Sequence, residues 1–361
     1  MKTVKTIAAL LFVLSLFLLP TNAASFEEET EQDFFEGLEE YGVGFEGGED
    51  VLSGVGIDSL LSEIFGALGG SIGGALSFLS MLLGISALIS VSEIILDGLS
   101  KSSNAGLGVS FISALLIFSR LYPICGSIGE SLDELGNFFS TVIPVLSGIS
   151  LAGGSVNTAA VEALNMNITL SLVSRFSNEF LLPMVFSLFA LSLVSGLEDG
   201  PFSSVSKMIK GIFMWGLGIA SAVVLGAVSL QQIIASAQDT AYMKAAKYAA
   251  GGMIPVIGGT VSSALGTLSG GLSYLKSTVG GASVFVLITL SLSPLITLLL
   301  YRAALSISAS FLEFMNNKGG VRIFSAFKGA VDALISVYTI STIIYISEIV
   351  IFMKGGISGV F

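Results

Sequence analysis

The sequence predicts an all-α, polytopic membrane protein: about eight transmembrane helices following an N-terminal signal peptide. Three observations carry this. The chain is 53% hydrophobic and only 11% charged over 361 residues, with a mean hydropathy of +0.91, whereas a soluble domain carries about 25% charged residues. Long apolar runs recur along its length. Apolarity is also combined with 43 glycines, a pairing that membrane helices tolerate because glycine lets backbones approach and lipid penalises exposed polar backbone. Lipid covering most of the apolar surface resolves a composition that could not face water.

The chain opens as an exported protein. Lys2 and Lys5 precede an apolar core, Ile7–Leu19, too short for an ordinary span, and Pro20 and the small residues TNAA follow. This is the pattern of a signal peptide over 1–23, with cleavage after Ala23, and an uncleaved anchor as the alternative. Residues 24–65 form an acidic exported segment. Glu27–Asp50 holds 11 acids and no base, so the net charge of −11 is one tail, and the remainder balances at 15 acids against 15 bases. Like charges and glycines there argue against independent folding. Val51–Phe65 is amphipathic and suits the membrane interface.

The helical transmembrane domain occupies 66–361. Six segments reach or approach the roughly 20 residues a crossing needs: Ala67–Ser92, Leu107–Ile128, Phe180–Leu197, Gly211–Ala235, Val279–Tyr301 and Val331–Met353. Two more, Phe138–Gly154 with Pro144 and the glycine-, serine- and threonine-rich Met253–Tyr274, can span or re-enter. With Ser25 outside, eight spans place eight bases inside and four outside, six spans seven and five, so the positive-inside rule favours eight. In that arrangement the acidic turn Glu130, Asp133 and Glu134 lies outside. Asn157–Asn178 becomes an amphipathic helix on the cytoplasmic face, and the polar turn of Asp239, Lys244 and Lys247 faces the cytoplasm, where it can meet a partner.

Small residues recur at four-residue spacing: Gly66, Gly70 and Gly74; Ala222 and Gly226; Gly266 and Gly270. On a helix this makes flat faces for close packing, within the chain or between copies in a homo-oligomer. Polar candidates at membrane depth are Arg120, which can snorkel beside Tyr122, and Glu348, which can pair with another helix. Glu93, Asp97 and Lys101 fall at i, i+4 spacing and read as helix-end pairs.

Several chemistries are excluded by residue type. There is no histidine and one cysteine, Cys125, so Cys/His metal sites and an internal disulfide are not available. GGTVSSALGTLSGG lacks the GKS or GKT of a phosphate loop. No basic footprint for nucleic acid exists, and the acids are too scattered for paired-carboxylate catalysis. The residues therefore point to a non-enzymatic membrane protein with no cofactor, with lipid as its surroundings. A secondary transporter with a broken central helix is the alternative.

The stretch SLQQIIASAQDTAYMKAAKYAAGGMIPVIGGTVSSALGTLSGGLSYLKSTVGG resembles the stage III sporulation protein AE family of endospore-forming Firmicutes. Its order of pieces carries the resemblance: a polar turn, a G-x-x-I-P-V-x-G-G-T-x-S run, then G-G-L and a lysine. FFSTVIPVLSGISLAGGS and SRFSNEFLLP fit too. The resemblance implies a membrane subunit of the channel-like complex between mother cell and forespore, seated in the mother-cell membrane. It implies partners from the same complex, including a cytoplasmic ATPase, and it carries no catalytic residue onto this chain.

Overall fold

The computed structural model describes residues 57–98, 103–195, 201–253 and 258–354. The expected signal peptide and the acidic segment up to residue 56 lie outside them. All regular structure among the described residues is helical: α1 (Ile57–Gly98), α2 (Ser103–Ala152), α3 (Val156–Arg175), a π-helical turn π1 (Phe176–Leu181), α4 (Leu182–Ser195), α5 (Pro201–Met253), α6 (Gly258–Phe314) and α7 (Lys318–Lys354). Because α3, π1 and α4 run on without a break, the bundle consists of six rods. Each contains a stretch long and apolar enough to cross a membrane: Leu60–Ile95, Gly108–Ala152, Val156–Val194, Met208–Tyr242, Gly270–Phe314 and Lys318–Met353.

Among the described residues the two extra segments do not form helices of their own. Residues 138–154 continue α2 through Pro144, and residues 258–274 are the first turns of α6. Glycine and proline read as interruptions in sequence, but a membrane helix keeps its course past them when neighbouring helices and serine hydroxyls satisfy the freed backbone groups. In α2, Pro123 and Pro144 leave the carbonyls of residues 119 and 140 without their intrahelical donor, and the helix continues past both. Three other expectations change with this. The acids Glu130, Asp133 and Glu134 lie mid-helix in α2 rather than in a turn. Residues 157–178 belong to the third rod rather than to a surface helix. Asp239 and Lys244 belong to the last turns of α5, not to a loop.

Local chemistry sets the joints. Gly154 (φ 76°) ends α2 in a Schellman motif, with Ser155 N–H donating to Ser150 O and Gly154 N–H to Leu151 O. Asn316 (φ 57°) ends α6 the same way, Asn317 N–H reaching Leu312 O, and Asn317 Oδ1 then accepts from Gly320 N–H at 2.7 Å to start α7. The π turn has a cause in Pro183. Its ring nitrogen cannot donate to the carbonyl four residues back, and the register slips so that Leu182 N–H bonds Ser177 O.

α7 is the central rod. Phe324, Phe327, Tyr338, Tyr345 and Phe352 are fully buried along it. Phe139 of α2 packs on Tyr345 with ring centroids 4.6 Å apart, and Phe189 of α4 meets Phe327 at 6.2 Å. Closest approach is to α6, where a Cβ on Gly280 would fall 2.5 Å from Met353 Cγ.

Candidate functional site

The polar interior of the bundle is built on one face of α3. Thr158, Glu162, Asn165 and Thr169 stand at i, i+4, i+7 and i+11 and are all buried, because that face is turned toward α5, α6 and α7. A polar stripe among apolar rods has to find its partners inside, since lipid offers none.

Its centre is an ion pair. Lys276 Nζ of α6 lies 3.0 Å from Glu162 Oε1, with the two side chains 2% and 1% exposed. Gln232 Nε2 of α5 donates to the same oxygen. The ammonium also sits 3.9 Å from the ring centroid of Phe352 in α7, so four helices meet at one charge pair. Two turns along α3, Thr169 Oγ1 donates to Glu348 Oε2 of α7 at 2.9 Å. Further on, the hydroxyls of Ser177 and Ser341 are 3.2 Å apart.

Asp239 closes the near end. Ser155, at the N-cap of α3, makes no side-chain cap bond. The Asp239 carboxylate accepts from Thr158 N–H at 2.7 Å and Asn157 N–H at 3.3 Å instead. A negative charge at a helix N-terminus meets both the unsatisfied amides and the positive end of the dipole. The far end is tied separately by Asp332 of α7, which receives Lys210 of α5 at 3.3 Å and Arg302 of α6. Chemically these groups pair with one another across helices. Among the described residues no three His, Cys, Asp or Glu side chains gather as a metal site.

The sequence candidates are distributed unevenly over this arrangement. Glu348 does pair with another helix. Asp239 is 3% exposed and works inside the bundle, while Lys244 is exposed and the Lys247 side chain lies outside the described residues. Arg120 is on the exposed face of α2 beside Tyr122. Of the small-residue faces, only Gly74 approaches another helix, its Cβ position 3.7 Å from Tyr301 Oη. Gly66, Gly70 and Gly226 have nothing within 4 Å of a Cβ, and Ala222 is exposed. The surroundings of Gly266 lie outside the described residues, and Gly270 meets nothing. Gly66, Gly70, Ala222 and Gly226 look outward rather than into the bundle.

Glu162, Gln232 and Asp332 were missed. The legible signal was the polar spacing of residues 158, 162, 165 and 169, which on a helix flanked by apolar rods marks an inward face; read alone, it resembles a solvated one.

Comparison with known proteins matches this helical body. The model of the stage III sporulation protein AE family covers residues 51–356. The chain belongs to that family. A curated relative, stage III sporulation protein AE of Bacillus subtilis (strain 168), is 21% identical over 283 residues, covering 76% of this chain and 71% of the relative. No solved structure matches. The family match takes in every described rod, including the lysine of the G-G-L run, Lys276, which is the cation of the buried pair.

Proposed function

We propose that this stage III sporulation protein is a non-enzymatic membrane subunit of the channel complex between mother cell and forespore, acting through assembly with partner subunits. The observation that supports it is how the buried charges are used. Glu162, Lys276, Asp239 and Glu348 each bind a neighbouring helix, which makes a rigid body suited to docking.

Orientation follows from charge. With six crossings and the N-terminal tail outside, the end of the bundle carrying Lys101, Lys207 and Lys318 faces the cytoplasm, as the positive-inside rule favours. Alternation then carries Lys244 and Lys247 to the outer side with the tail, so a cytoplasmic ATPase would meet the opposite end of the bundle. Deletion of the gene is expected to block sporulation after engulfment while vegetative growth continues, and pull-downs from sporulating cells should recover the ATPase. Normal spores from a clean deletion would sink the proposal. Solute uptake by the purified protein in liposomes would instead support the transporter reading.

A further inference from the structure

Two neighbouring rods carry a surface that does not suit lipid. On α2, Glu130, Asp133, Glu134, Asn137 and Ser140 are exposed, and no large apolar side chain is exposed between residues 123 and 150. On the outward face of α3 and π1, Asn167, Ser171, Arg175 and Glu179 are exposed, with no exposed large apolar side chain between residues 165 and 179. Asn178 Nδ2 bonds Asp133 Oδ1 at 2.6 Å across the two, so this is one continuous face. It is bounded on both sides by exposed apolar groups of the same rods: Phe111, Leu115 and Phe180 toward one end, Leu151 and Leu164 toward the other.

The surface of α5 is apolar at the same depth. Glu162 meets Gln232, and Thr158 meets Asp239, so α3 and α5 run antiparallel. At 1.5 Å per residue the polar face lies level with roughly residues 216–228 of α5, where Ile219 and Ala222 are exposed. Ser71 of α1 meets Thr297 of α6, and Glu162 meets Lys276 of α6. That register sets Leu61, Glu63 and Phe65 of α1, all exposed, at about the same level, so α1 is mixed there. One slab of the bundle thus presents hydrocarbon on α5 and charge on α2, α3 and π1. A charged side chain in the hydrocarbon costs on the order of 2.5–3.5 kcal/mol on insertion scales, and this face carries five.

We propose that the α2–α3–π1 face stands in water at membrane depth and lines an aqueous passage, with α5 turned to lipid. The assignment of a passage rests on the channel-subunit reading; the exposure of the face to water does not.

The test is thiol labelling of the full-length protein in its own membrane, in a Cys125→Ser background, with a charged, membrane-impermeant methanethiosulfonate applied from either side. Asn137→Cys, Ser140→Cys and Ser171→Cys report the polar face. Ile219→Cys and Ala222→Cys report the apolar face at the same depth. The reagent reacts with thiolate, which forms in water, so labelling of the first set is expected to be at least about tenfold faster than of the second. Slow labelling of both sets would overturn the proposal, because the polar face would then be covered. Fast labelling of both would also overturn it, because this half of the bundle would stand outside the membrane altogether. Normal sporulation in a deletion strain would remove the channel role and leave the labelling pattern standing, so the two failures are distinguishable.

Discussion

At the scale of single residues, the membrane changes what a charge means. Glu162 and Lys276 are buried beyond reach of solvent, and removing one partner of such a pair leaves the other uncompensated, at a cost of about 3–5 kcal/mol. Lys276→Met is therefore expected to lower the thermal unfolding midpoint in detergent sharply. The double change with Glu162→Gln should recover part of the loss, because no lone charge remains. Equal midpoints for Lys276→Met and the unaltered protein would show that the pair contributes little. Glu348 was legible as a group needing a partner in another helix, since a carboxylate inside an apolar span has few alternatives. Its partner, Thr169, was not, because nothing in a list of threonines says which one faces α7.

At the scale of elements, glycine has two uses that sequence spacing confuses. The regular four-residue repeats drew attention to Gly66, Gly70 and Gly226, yet these open outward. The close approach falls at Gly280, in an irregular GG pair of α6 against Met353 of α7. A branched side chain there overpacks the contact, by about 1–3 kcal/mol. Gly280→Val should lower stability to proteolysis in detergent, and Met353→Ala should restore it by making room. Failure of the second change to restore anything would place the strain elsewhere. The same confusion affected helix boundaries: Pro144 and the glycines of residues 258–274 read as breaks, whereas α2 continues through Pro144 to Ala152 and α6 runs unbroken from Gly258.

At the scale of the whole molecule, six rods replace eight crossings, and the difference is measurable. Both counts put the C-terminus on the side of the N-terminal tail, so a probe at Ser358 does not separate them. A probe at Lys244 does. Reporter fusions there are expected to read as outside the cytoplasm, and a cytoplasmic signal at Lys244 would restore an extra crossing between it and the start. Loop-charge counting reached eight because it weighed bases segment by segment; several of those bases, Arg175 and Lys276 among them, lie within rods rather than in connections.

The amino-acid sequence by itself determined the solvent: an apolar, charge-poor, glycine-rich chain with one acidic tail belongs in lipid, and its apolar runs must be helical because lipid leaves backbone groups no outside partner. Its central stretch also carried the family resemblance. Only the tertiary structure decided which polar groups look inward and which outward. A helix with polar residues on several faces gives no sign of what its neighbours will be. The positions of α5, α6 and α7 around α3 turned Glu162 and Thr169 into interior contacts, and left Asn167, Ser171 and Glu179 on the outside.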